Sequence, residues 1–322
     1  MIIVTGGAGF IGSAVLWKLN ERGIDDILVV DNLGESDKWK NLVNRSYLDY
    51  IHKTEFLNRL GKGDFHPVEA IIHMGACSST TEKDADLLME NNFHYTLHLA
   101  EYCLQKNIRF INASSAATYG NGASGFSDDT DRLHLLKPLN MYGYSKQLFD
   151  VWALRSNALN HLASLKFFNV FGPNEYHKKD MCSMAYKGFF QIRQTDRIRL
   201  FKSYHDDYPD GDQRRDFVYV KDCVDIIGWL LENPAVNGIF NVGSGQDHSW
   251  NDLAAALFQA MEIPVAIEYI EMPEKLKDRY QYYTKACMDK LQAAGCPFQP
   301  TTFADAVHDY VVNYLQTEDP YL

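Results

Sequence analysis

The sequence is poor in three things, and each absence removes a class of protein. It has no run of about 18 apolar residues, so no segment reads as a membrane-spanning helix. Its cysteines are few and unpaired in spacing. Cys77, Cys103, Cys182, Cys223, Cys287 and Cys296 are scattered, with no Cys-x-x-Cys and no histidine cluster beside them. Such spacing fits free, mostly buried thiols in a reducing compartment, and no metal site is expected. Positive charge is also short: the formal net charge is -11. A chain this acidic is repelled by nucleic acid and by anionic membrane surfaces, so neither is expected as a partner. An anionic small molecule can still bind where the local charge reverses. The basic spots are Lys178-Lys179, Arg214-Arg215 and the 275–279 stretch. The N-terminus opens on Ile2-Ile3-Val4, without the basic leader and cleavage site of a signal peptide, and a cytoplasmic location is expected.

What the chain does have is alternation. Short apolar runs at 2–5, 27–30, 70–73, 108–112 and 163–168 read as strands. Amphipathic segments at 11–21, 84–105 and 144–157 read as the helices between them. That order means βαβ units, and the expected class is α/β with a doubly wound parallel Rossmann-type sheet. After Gly172-Pro173 the character changes, and 174–216 reads as polar and loop-rich. Within it Asp206-Asp207-Tyr208-Pro209-Asp210-Gly211-Asp212 is turn-forming and lacks the spacing of a calcium loop. Runs at 217–220 and 238–242 read as late strands returning to the sheet. The tail from 253 is helical, with one strand at 266–270. The expected division is 1–170 with 217–244 as the cofactor domain, and 171–216 with 245–322 as a smaller α/β substrate domain.

Two motifs carry chemistry. Gly6, Gly9 and Gly12 follow the first strand and open the first helix. Glycines at that spacing allow a tight turn, close approach to a pyrophosphate and close helix–strand packing. Asp31 closes the second strand, where a carboxylate takes the ribose hydroxyls of NAD. Asn32, Lys38 and Lys53 could instead serve the 2′-phosphate of NADP, and the residues leave that choice open. Tyr142 and Lys146 form a Tyr-x-x-x-Lys pair, four apart and therefore on one helix face. A neighbouring ammonium is expected to lower the phenol pKa, so that Tyr142 can act as a base. Ser115, at the end of the fourth expected strand, could hydrogen-bond the reacting oxygen.

The glycine turn, the run Ser114-Ser115-Ala116-Ala117-Thr118-Tyr119-Gly120 and the Tyr142–Lys146 pair resemble an extended short-chain dehydrogenase/reductase. Further runs narrow the likeness: His73-Met74-Gly75-Ala76-Cys77-Ser78-Ser79-Thr80-Thr81, Phe168-Asn169-Val170-Phe171-Gly172-Pro173, His177-Lys178, Arg215-Asp216-Phe217 and Tyr280-Gln281. With these the chain resembles, nearly end to end, the ADP-L-glycero-D-manno-heptose 6-epimerases. The resemblance implies inversion of C6 in an ADP-linked heptose, for lipopolysaccharide core synthesis, by transient oxidation and hydride return from tightly bound NADP. It implies cofactor contacts from Phe10, Ile11, Asp31, Asn32, Lys38, Lys53, Met74, Gly75, Ala76, Cys77, Ser78, Asn91, Lys146, Val170 and Lys178. It implies substrate contacts from Ser78, Asn169, Asp180, Lys187, Phe201, Lys202, Ser203, Tyr204, Arg215 and Tyr280. Lys178 takes the place of a second proton donor beside Tyr142, and the implied assembly is a homo-oligomer, a pentamer among the candidates. Asp180 and Lys187 stand where the family pattern has Ser and His, and the 202–214 loop is longer. The alternative reading is another nucleotide-sugar epimerase or reductase of the same superfamily. A 4,6-dehydratase would need Asp-Glu where Ala116-Ala117 follow Ser115. A non-catalytic NADP(H) sensor would be expected to lose Tyr142 or Lys146.

Overall fold

A computed structural model describes residues 1–65, 67–277 and 280–322. Asp278 and Arg279 of the basic 275–279 stretch lie outside the described residues, as do the side chains of Lys275 and Leu276. The first half runs β1 (Ile2–Thr5), α1 (Phe10–Glu21), β2 (Ile27–Asp31), β3 (Asp49–His52), α2 (Lys53–Lys62) and β4 (Ala70–His73). Then come α3 (Ala85–Leu88), a π-helical segment (Met89–His94) and α4 (Tyr95–Lys106), which together fill the expected 84–105 helix. β5 (Arg109–Ser115), α5 (Met141–Arg155) and β6 (Leu162–Phe167) follow. Every residue of β1, β2, β4 and β6 is buried, as a parallel sheet covered on both faces requires. β3 was not expected. Of its four residues only Ile51 is buried, because it lies at the sheet edge and needs no apolar run.

The second half runs β7 (Asn169–Phe171), α6 (Met184–Thr195), β8 (Ile198–Phe201), β9 (Arg214–Arg215), β10 (Phe217–Tyr219), α7 (Val220–Glu232), β11 (Gly238–Val242), β12 (His248–Ser249), α8 (Trp250–Ala260) and β13 (Ile267–Ile270). Two expectations are corrected here. The 174–216 stretch is not all loop: α6 buries Ala185, Gly188, Phe189 and Ile192 at helical spacing, and β8 pairs in parallel with β13. A Cβ on Gly188 would lie 2.7 Å from Leu257, so α6 packs closely on α8. The 217–220 run does not return to the main sheet. It pairs with β7 in a separate two-stranded sheet, since β11 already fills the edge beside β6 and Val220 already opens α7.

The main sheet has seven parallel strands in the order β11-β6-β5-β4-β1-β2-β3. β1 pairs with β2 on one side and β4 on the other, so the winding reverses there. A crevice opens beyond the carboxyl ends of β1 and β4 at such a switch point, and that is where ligands sit in open α/β sheets. The buried apolar residues of both halves form one continuous cluster. No helix among the described residues is long and apolar enough to cross a membrane.

Candidate active site

The glycine turn sits at that crevice. Gly6 has φ +68°, and a Cβ there would lie 2.5 Å from Gly75 N. A Cβ on Gly12 would lie 2.0 Å from Gly6 O, so α1 can start only where side chains are absent. The cap residue of α1 is Gly9; no side chain caps the helix and no acidic residue stands in its first turn. Its terminal N–H groups therefore suit an anion. Beside the turn the Asp31 carboxylate is already engaged. It accepts from Ala8 N at 2.9 Å, Asn32 N at 2.6 Å and Lys38 Nζ at 2.7 Å. Lys53 donates to Asn91 Oδ1. Asp31, Asn32, Lys38, Lys53, Gly75, Ala76, Cys77 and Asn91 line one pocket.

A second, adjoining cleft shares Gly6, Asp31, Lys38, Gly75 and Ala76 with the first. It is lined as well by Gly9, Phe10, Ile11, Gly12, Met74, Ser78, Ser115, Tyr142, Lys146, Val170 and Lys178. The cofactor and catalytic candidates thus come together from β1, β2, β4, β5, α1, α5, β7 and the 172–183 loop. Asn140 caps α5 by accepting from Gly143 N at 2.8 Å. The helix therefore begins at Met141 rather than at the expected 144, and Tyr142 lies in its first turn.

The electrostatics correct one expectation. The Tyr142 phenol is pushed above its ordinary value by burial, with the Ser115 hydroxyl pulling the other way. Lys146 Nζ donates to Ala113 O at 2.7 Å, which uses one of its three N–H groups. Lys146 itself is pushed down to about 8 by burial, against the Asp150 carboxylate one turn further along α5. Ser115 Oγ also accepts from Ala117 N at 3.1 Å. Lys178 Nζ lies 5.2 Å from the centre of the Phe10 ring. Burial lowers its pKa, opposed by the Glu175 carboxylate. His177 also lines the cleft, and burial with Lys38 and Lys178 nearby brings it down to about 4, so it is neutral.

Of the substrate candidates, Ser78 lines this cleft and the others lie outside its lining. Asn169 is exposed, between the cleft residues Phe168 and Val170. Lys187 donates to Asp180 O at 2.6 Å, so the two positions that depart from the family pattern contact each other. Lys202 pairs with Glu271 at 2.7 Å, and the Tyr204 hydroxyl bonds the same carboxylate. Ser203 Oγ donates to His205 O, and Gln213 Nε2 donates to Phe201 O. Arg215 lies 5.6 Å from the Trp250 ring and 5.4 Å from the Tyr280 ring, and Tyr280 accepts from Trp250 Nε1. Its buried guanidinium donates to Arg214 O at 2.8 Å and to Gln281 O.

Sequence reasoning missed several residues. Thr5, Val30, Tyr95, Ala113, Ser114, Phe167 and Phe168 line the two pockets. Asn92 accepts from Cys77 N at 2.8 Å and donates to Cys77 O at 3.0 Å, fixing the loop after β4. It stands beside Asn91 on the π-helical segment, and π-turns inside helices recur at functional sites. Asn41 ties Ala8 O of the glycine turn to Asn174 O, at the start of the Lys178 loop. No spacing rule marks either asparagine.

A model of the NAD dependent epimerase/dehydratase family matches residues 2–243. A protein of Nitratidesulfovibrio vulgaris (strain DP4) named ADP-L-glycero-D-manno-heptose-6-epimerase is 60% identical over 323 residues, covering 100% of both chains. One of the same name from Fusobacterium nucleatum subsp. nucleatum is 50% identical, again over 100% of both. Among solved structures, the Helicobacter pylori enzyme of that name superposes with a TM-score of 0.81 at 27% identity, covering 97% of this chain and 95% of that one. A Thermus thermophilus UDP-glucose 4-epimerase in complex with NAD shares the fold, with a TM-score of 0.74 at 24% identity over 96% of this chain and 97% of that one.

Proposed function

The chain belongs to the NAD dependent epimerase/dehydratase family and, within it, to the ADP-L-glycero-D-manno-heptose-6-epimerases, and from that footing we propose that it converts ADP-D-glycero-D-manno-heptose to the L-glycero epimer by inverting C6, in lipopolysaccharide core heptose synthesis. The observation that carries this reading is that two ionisable groups from different elements, Tyr142 and Lys178, enter one cleft above the glycine turn. The Cβ-free cradle at Gly6 and Gly12 and the uncapped start of α1 suit a dinucleotide diphosphate. With reversible hydride exchange supplied by a bound nicotinamide dinucleotide, C6 passes through a planar ketone.

The protein handles the protons and the geometry. Tyr142, as the phenolate that the Lys146 ammonium one turn along α5 favours, takes the proton of the C6 hydroxyl, with Ser115 hydrogen-bonded to the same oxygen. The ketone turns to offer its other face, and the C6 oxygen then meets a different part of the cleft. Lys178 gives it a proton there. Arg215, with Tyr280, Phe201 and Asn169, takes the ADP half, its buried guanidinium meeting the diphosphate.

The cofactor we assign is NADP. Asp31, which would accept from the ribose hydroxyls of NAD, is neutralised by Lys38 and bonded by two backbone N–H groups. Lys53 adds a second ammonium to the same pocket. The Lys53→Ala variant is expected to weaken NADP binding about tenfold or more while barely changing NAD. Titration of cofactor-stripped protein with each dinucleotide checks this, and equal losses for both would overturn it. The function itself is tested by incubating protein, without added cofactor, with ADP-D-glycero-D-manno-heptose in heavy water and following C6 by NMR. The L-glycero epimer without deuterium at C6 is expected. No conversion, even with NADP or NAD added, would sink the assignment.

A further inference from the structure

Glu175 is fully buried and does not line the cleft. Its carboxylate gathers donors from three parts of the chain. They are Gly172 N at 3.4 Å, the Ser183 N–H together with Ser183 Oγ at 2.7 Å, and the Tyr310 hydroxyl at 3.0 Å. Its own carbonyl accepts from Lys178 N at 3.0 Å and Cys182 Sγ at 3.4 Å. The 172–183 loop is thus folded around one acid. Ser183 caps α6, which sets that acid at the positive end of a twelve-residue helix. The loop is bent at two left-handed non-glycine residues, Asn174 at φ 76° and Lys179 at φ 51°, one on each side of Lys178. Such backbone persists only where its surroundings over-determine it.

We propose that Glu175 is a positioning residue for Lys178: its carboxylate holds the loop that brings the Lys178 amine into the cleft, and it is the acid that faces that amine. This rests on the reading of Lys178 as the second proton-transfer group. The groups that face Lys178 are the Glu175 carboxylate, the Cys182 thiol and the Lys187 ammonium, with His177 beside it in the sequence and in the cleft. Glu175 and Cys182 favour the ammonium, whereas Lys187 and burial oppose it. Glu175 in turn faces Ser183, Tyr310, Cys182 and Tyr176; burial pushes its own pKa up, and the Ser183 and Gly172 donors with the Lys178 ammonium pull it back down. Without the Glu175 charge the Lys178 pKa falls further. A donor is lost as pH rises through its pKa, so the alkaline limb of activity must move to lower pH.

The experiment is kcat for C6 inversion against pH, from about pH 6 to about pH 10, for the wild type, Glu175→Gln, Glu175→Asp and Tyr310→Phe. Each is checked for melting temperature and cofactor content. Glu175→Gln is expected to move the alkaline limb down by about one unit, a roughly tenfold loss on that limb, with KM little changed. Glu175→Asp keeps the charge, so its limb stays while kcat drops. Tyr310→Phe removes a hydroxyl but no charge, so its limb stays as well. A Glu175→Gln limb that does not move, whether kcat falls or holds, overturns the proposal and leaves Glu175 a structural acid. If Glu175→Gln does not fold, Glu175→Asp decides: lower kcat on an unmoved limb supports the proposal, and a wild-type profile or a moved limb overturns it. A wild type that converts nothing would instead count against the epimerase reading itself.

Discussion

Replacing Tyr142 by Phe is expected to lower kcat for C6 inversion by about a thousand-fold, the usual worth of a positioned acid–base group, with the bound cofactor and the melting temperature nearly unchanged. The substitution removes one hydroxyl from the first turn of α5 and leaves its ring. The partly buried hydroxyl is held above its ordinary pKa by its surroundings, with only Ser115 pulling the other way. No other phenol lines the cleft. On the proposed course Lys178 does not replace it, since it would meet the substrate oxygen only after the ketone has turned. Rates from NMR, with nicotinamide measured in the denatured extract, make the check. A variant that kept more than about a tenth of the rate would fall below the range of acid–base catalysis and would remove Tyr142 from the reaction.

Much of this site was readable because its parts are local in sequence. The turn from Gly6 to Gly12 follows a strand of apolar residues, and each glycine answers a steric demand within seven residues or from one neighbouring loop. Tyr142 and Lys146 share a helix face because they are four apart. β1 and β4 are legible as apolar runs since both faces are covered. β3 is not, because an edge strand needs only Ile51 buried. α6 hides in a polar stretch because only one stripe of it meets the core. The direction of the Tyr142 shift was misread for a related reason. Spacing gives which residues are neighbours, but not how far the fold buries the phenol, and burial is what pushes its pKa up. Glu175, Asn92 and Asn41 carry no local signal. Their importance comes from being polar, buried and fully bonded by partners far away in the chain, which only the folded structure displays.

The same kind of partnership sits beneath the reaction and carries the second large expectation: Lys166→Met should destabilise the protein by about 3–5 kcal/mol. Lys166 is the one charged residue of β6, and its side chain and that of Asp150 are both 0% exposed. They pair at 2.7 Å. Asp150 also accepts from Ser114 Oγ and Ser164 Oγ, each at 2.8 Å, while Lys166 donates to Thr118 Oγ1, which donates to Ser115 O. One ion pair thereby ties α5, which carries Tyr142 and Lys146, to the end of β5, which carries Ser115. Methionine fills the volume of the lysine stem but leaves the Asp150 charge with two hydroxyl donors and no cation bonded to it. Breaking such a pair from one side costs far more than the pair itself contributes. A fall in melting temperature of about 10 °C is expected, and the Asp150→Asn/Lys166→Met double variant should recover most of it, because no charge is then left buried. A single variant within about 2 °C of wild type, or a double variant no more stable than the single, would mean that the pair does not hold the catalytic helix to the sheet.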